Sequence, residues 1–178
     1  HQYAAEQLTQ AQEANSYQAR HAVYMAGLLA EQRSALQGTG QQAALRLIHS
    51  EIENVRAAWQ WLIDHLAQGD LTLMDNETQI SQGIDSLFHF YDMRSWFQEG
   101  ETVFGQLARQ LATVATTSAT PTTPDAAETV YMAWVLQAKA QARQGWFAFH
   151  LGRYAESRRL LVESLQRLQE LDAEVETI

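Results

Sequence analysis

Gly145-Trp146-Phe147-Ala148-Phe149-His150-Leu151-Gly152-Arg153-Tyr154-Ala155-Glu156-Ser157-Arg158-Arg159-Leu160-Leu161 decides the fold. The stretch reads as the end of one helix, a tight turn at Gly152, and the start of a second helix. Small residues stand at Gly145, Gly152, Ser157 and Ser164, with Tyr154 and Leu161 as the large ones between them. Small residues let antiparallel helices approach and large ones fill the remaining gaps, so the pattern predicts a close helical hairpin.

Moving N-terminally, the pattern recurs 57 residues earlier. Phe97-Gln98-Glu99-Gly100 aligns with Tyr154-Ala155-Glu156-Ser157, Ser95 with Gly152, Phe104 with Leu161, and Leu111 with Leu168. A helical-hairpin repeat of the tetratricopeptide type is about 34 residues long. The extra length matches the Thr- and Pro-rich stretch at 115–125, which reads as a loop.

The rest of the chain repeats with helical period. A first helix is expected at about Asn15–Leu36, with Tyr17, His21, Tyr24 and Leu28 on one face. A second is expected over about Gln41–Gln68, carrying Ile48, Ile52, Val55, Trp59, Leu62 and Leu66. Gly69-Asp70 stops it, and Asp75-Asn76-Glu77 leads to a third helix with Ile80, Ile84, Leu87, Phe88 and Tyr91 on one side. A fourth starts near Trp96. A fifth is capped by Asp125 with Glu128 three residues on, and a sixth begins at Tyr154. These expectations amount to an all-α, tetratricopeptide-like stack of antiparallel helix pairs, an α-solenoid with right-handed curvature.

Composition bounds the function. The 178 residues include 12 basic and 21 acidic side chains, for a net charge of −9, and Lys139 is the only lysine. An acidic chain is a poor candidate for direct nucleic-acid binding through a broad basic surface. The absence of cysteine excludes disulfides, thiolate zinc sites and a thiol nucleophile, and fits a cytoplasmic protein. No apolar run approaches the roughly 20 residues that span a bilayer, so no membrane association is expected. The start, His1-Gln2-Tyr3, lacks signal-peptide character and an initiator Met, which predicts a piece of a longer chain.

Glu51-Ile52-Glu53-Asn54-Val55-Arg56-Ala57-Ala58-Trp59 is the most distinctive local string. Asn competes for backbone hydrogen bonds and is poor inside helices. Asn54 is therefore expected to tie its helix to a neighbouring turn, with Arg56 pairing an acid. His49 and Glu53 have metal-chelating i, i+4 spacing, but such pairs are common on solvated faces and neither metal nor cofactor is expected. Arg153, Arg158 and Arg159 read as a solvated face balanced by Glu156 and Glu163. No phosphate-binding loop, dinucleotide fingerprint or nucleophile elbow is present, so no enzyme is expected. Trp59 and Trp61, Phe88 and Phe90, and Phe147 and Phe149 cannot each face one way on a helix. Some aromatics are therefore expected to face either a second layer or a groove. The groove is expected between the third and fifth helices, with Phe90, Tyr91, Trp134 and Phe149 as candidate lining residues.

In this order the strings resemble the tetratricopeptide arm of bacterial signal-transduction ATPases with numerous domains, the group holding large LuxR-type and related regulators. The resemblance rests on Tyr3, Glu6 and Leu8; Arg20, His21 and Tyr24; Glu51, Asn54, Arg56, Ala57 and Ala58; Phe90, Tyr91, Arg94, Glu99 and Gly100; and the hairpin at Gly145, Gly152 and Tyr154. The family usually has Trp where Tyr91 stands. The resemblance implies that residues 1–14 end a preceding winged-helix segment and that 15–178 form the helical arm. It further implies a non-catalytic sensor and protein-interaction arm, served by an upstream ATPase module and a protein partner or small inducer. The alternative is a plain assembly scaffold, dimerising through the leucine-rich C-terminal helix.

Overall fold

The described residues of the computed structural model form seven helices and no strand: α1 (Gln2–Leu36), α2 (Gln41–Ser50), α3 (Ile52–Ala67), α4 (Glu77–Met93), α5 (Phe97–Thr117), α6 (Pro124–His150) and α7 (Tyr154–Val175). The backbone is described over 2–67, 77–117 and 124–175, and side chains over 14–65, 81–117 and 124–172 except 125. Leu66, Gln68, Gly69-Asp70, Asp75-Asn76, the Ile80 side chain, the Asp125 cap and the centre of the Thr/Pro stretch lie outside the described residues.

The described residues are of the all-α class, as the periodicity predicts. α1 buries Ala22, Met25, Leu29 and Leu36, a spacing of three to seven that returns to one face. α4 packs chiefly on α1, α5 on α6, and α6 on α7, while α3 bridges α1 and α5. α4 is the central element. From Gly83 to Tyr91 every residue is buried except half-buried His89. That is why both Phe88 and Phe90 are inside, although they lie on different sides of the helix. Phe88 meets Phe147 at 5.4 Å and Phe104 at 6.4 Å between ring centroids, joining α4, α5 and α6.

The 57-residue repeat is reproduced in the turns. Ser95 (φ 57°) and Gly152 (φ 78°) both take the left-handed conformation. The hydrogen bonds correspond one for one. Trp96 N donates to Tyr91 O as Arg153 N donates to Ala148 O, and Ser95 N to Asp92 O as Gly152 N to Phe149 O, all at 2.9–3.0 Å. Such 6→1 closures are the Schellman ending of a helix.

Small residues also set the helix spacings. A Cβ on Gly100 would stand 2.7 Å from Phe147, a fully buried ring, so α5 and α6 close only because that position has no side chain. A Cβ on Gly145 would stand 3.0 Å from Leu161. Ser157 and Ser164 are buried between α6 and α7, and Ser164 Oγ donates to the Ala138 carbonyl at 2.7 Å.

Several expectations are corrected. The first helix begins at Gln2 and passes through 14 and 15 without a break. The long second helix is interrupted at Glu51. There Ser50 Oγ donates to the Leu47 carbonyl at 2.8 Å, while Glu51 N is shared between Leu47 O and Ile48 O; a side-chain hydroxyl competing for the ladder bends a helix. Tyr154 is 64 % exposed and does not fill the interhelical gap. α4 and α5 share a turn but pack mainly on other helices, unlike α6 and α7, which run against each other.

Ser95 bears a Cβ where glycine is preferred. Ser95→Gly is expected to stabilise the fold by about 0.5–1 kcal/mol, and Gly152→Ala to destabilise it by about 1 kcal/mol, read as opposite shifts in urea midpoint. Gly100→Ala is expected to cost about 1–3 kcal/mol through overpacking. The loss should shrink in the Gly100→Ala/Phe147→Leu double variant, measured by a denaturation cycle.

Candidate functional site

α3, α4 and α5 enclose a cleft of about 400 Å³. Val55, Trp59, Ile63, Leu87 and Val103 supply apolar wall, while Glu53, Arg56, Gln60 and Gln106 supply polar groups. The arrangement follows from α3's register: Val55, Trp59 and Ile63 recur at four-residue intervals, with Arg56 and Gln60 one step round. The indole N–H of Trp59 is buried without a hydrogen-bond partner among the described residues.

An ion pair engages Arg56 on the cleft wall. Arg56 Nε and Nη2 donate to the two Glu99 oxygens at 2.6 and 2.7 Å, a two-point clamp between α3 and α5. Tyr91 donates its hydroxyl to the same carboxylate at 2.9 Å. Arg56 also pairs with Glu53 and lies over the Trp96 ring at 5.5 Å. The hydrogen bonds that Arg56 donates to Glu99 hold its guanidinium firmly protonated, against the opposing effect of burial. Burial, reinforced by the Glu99 charge, pushes the Tyr91 phenol well above its usual range, so it remains a donor.

A second charged cluster lies between α1, α4 and α6. The buried Asp85 carboxylate receives Arg33 at 3.3 Å, Lys139 at 3.1 Å and Arg143 at 3.2 Å. Lys139 also donates to Ser81 Oγ at 2.9 Å, and Arg143 covers the Phe88 ring at 4.4 Å. Sequence reading missed this cluster. Its signals were the lone lysine within an apolar helix and an acid inside the densest apolar stretch of α4.

The expected aromatic groove does not form. Phe90 is fully buried against Trp96, with ring centroids 5.5 Å apart. Tyr91 is buried too, reaching only the inner wall of the α3–α5 cleft. Trp134 is half-buried beneath Arg167, 4.2 Å away, and Phe149 is exposed and edge-on to Tyr154. These four residues do not share a surface, because stacking helices on α4 consumes the aromatics near its C-terminal end as core.

The other motif residues are partly brought together. Arg56 and Glu99 pair across helices, as expected of Arg56. Asn54 donates to Glu51, the turn residue between α2 and α3, at 2.8 Å, so its tie is a local one to the turn that starts its own helix. Arg20, His21 and Tyr24 of α1 meet Asn54 around a shallow depression of about 480 Å³. Glu53 is engaged by Arg56 and the His49 ring lies 5.9 Å from Trp96. Among the described residues no three His, Cys, Asp or Glu side chains form a metal-binding group. Of the arginines near the last turn, Arg153 pairs with buried Glu101 and Arg159 with Glu163, while Arg158 is exposed. No described helix is long and apolar enough to cross a membrane.

No family model, curated protein or solved structure matches the chain.

His89 sits beside the Asp85 cluster, 3.0 Å from the Gln37 amide. Burial and the Arg143 charge lower its pKa below 6.5, outweighing Asp85 and Asp92. The folded state therefore binds this proton less readily than the unfolded state. Stability is fully present above 6.5 and is lost as pH falls through the window below it. His89→Gln is expected to flatten the fall in urea midpoint between about pH 7 and about pH 5.

Proposed function

We propose that the chain is the sensor and protein-interaction arm of an ATP-dependent transcriptional regulator, non-catalytic by itself and taking a small ligand in the α3–α5 cleft. The observation that carries this reading is the meeting of Arg56, Tyr91 and Glu99. Arg56 comes from one string of the family resemblance and Tyr91 and Glu99 from another, and they converge beside a ligand-sized cleft whose wall includes Arg56 and Tyr91. Ligand sites are typically about 300–1,000 Å³, mostly apolar with a few placed polar groups, and the cleft has that character. Ligand held between α3 and α5 regulates an upstream ATPase module only if it binds the arm differently in the off and on states.

A second reading, a plain assembly scaffold, is favoured by the outer face of α7. There Leu161, Val162 and Leu165 are 41–57 % exposed.

Val103 is half-buried on the cleft wall. Val103→Trp fills the cleft from α5. Native mass spectrometry after incubation with a metabolite extract is expected to show a small-molecule adduct on the wild-type chain. The variant should lose it at unchanged helical content. An adduct retained by a folded variant would place the ligand elsewhere.

A further inference from the structure

The internal repeat makes α7 the counterpart of α5, and the two helices differ in what covers them. On α5, Phe104, Ala108 and Leu111 are buried. α6 lies over that side, since Gln144 and Phe147 stand against Gly105 and Gly100. The equivalent α7 positions are Leu161, Leu165 and Leu168. Leu161 is 41 % exposed and Leu165 57 % exposed. α7 thus presents a face of the kind that α5 buries under a helix.

The charges on that face select the occupant. Arg158 and Asp172 lie seven residues to either side of Leu165, two helical turns each way, and so share its face. Both are exposed, and among the described residues neither forms an ion pair. Two α7 helices laid antiparallel, with a two-fold axis through Leu165, bring Arg158 of each copy opposite Asp172 of the other. The same axis places Val162 beside Leu168 of the second copy. A two-fold interface must be self-complementary in this way, whereas an unrelated helix would impose no symmetry about Leu165.

We propose that the outer face of α7 is a homodimerisation surface that pairs antiparallel with α7 of a second copy, registered by Leu165 and by reciprocal Arg158–Asp172 ion pairs. The proposal rests on the assembly reading rather than on the cleft, so Val103→Trp leaves the dimer intact whether or not a ligand binds. One helix pair is a small interface, and the dimer is accordingly micromolar rather than obligate.

Sedimentation velocity over a concentration series of the 178-residue chain tests it, with circular dichroism as the check on folding. Wild type is expected to pass from monomer to dimer, and Leu165→Glu to remain monomeric. Arg158→Asp and Asp172→Arg should each weaken the dimer about tenfold, since each reversal sets like charges together at both ends of the interface. The Arg158→Asp/Asp172→Arg double variant should recover toward wild type, because the reversed pairs again match across the axis. Three outcomes overturn the proposal. They are a folded wild type still monomeric at about 100 µM, a dimer indifferent to Leu165→Glu, or a double variant no tighter than either single one.

Discussion

A carboxylate 6 % exposed, as Asp85 is, imposes a geometric demand on everything around it. Removing such a group from water costs several kcal/mol, which only close, well-directed cations offset. Asp85 obtains them from two other helices: Arg33 on α1, and Lys139 and Arg143 one turn apart on α6. Lys139 reaches one carboxylate oxygen and Arg143 the other, which limits how α6 can slide or rotate relative to α4. With those helices registered, Phe88 meets Phe147 and Phe104, and Phe147 lies against the bare backbone of Gly100 on α5. The polar cluster therefore specifies an arrangement that apolar contact then stabilises. A buried ion pair is weak evidence of net stability but good evidence of constraint, because breaking it leaves a charge stranded.

The helical class, the two equivalent turns and the small-residue contacts were legible in the sequence. These are local or periodic properties. A left-handed residue needs a small side chain, and a 57-residue echo of one turn is visible as letters. Ser95 against Gly152 is the clearest case, since the alignment placed them together and both adopt positive φ. The break at Glu51 was not legible, because the apolar stripe Ile48, Ile52, Val55 continues straight through it. Periodicity records which residues turn inward, not whether the backbone ladder is intact.

The candidate groove failed for a related reason. The aromatics off the main apolar face could meet either a second layer or a groove, and α4 is covered on more than one side, so the second layer takes them. A helix in the middle of a layered packing buries residues that its amphipathic pattern would leave outside. Phe90 is in that position, and Asp85 and Ser86 are drawn in with it. Arg56 fared better. An arginine within an apolar stripe needs a partner wherever the fold places it, so its acid was expected even though Glu99 was not named as that acid.

Separate polar ties link α5 to the α6–α7 turn and α6 to α7. Glu99, the partner of Arg56 on the cleft wall, lies in the first turn of α5. Two residues on, buried Glu101 takes Arg153 from the α6–α7 turn. Farther back on α6, Gln141 donates to Glu163 of α7 at 2.7 Å, and Glu163 also holds Arg159. Such ties are not coupling. A ligand between α3 and α5 alters events at α7 only if it favours one of two arrangements of these helices, by as much free energy as its affinities for them differ. The close contact between Gly100 and Phe147 makes a gradual slide of α5 over α6 costly. Any second arrangement would differ from this one by a discrete repacking of that ring.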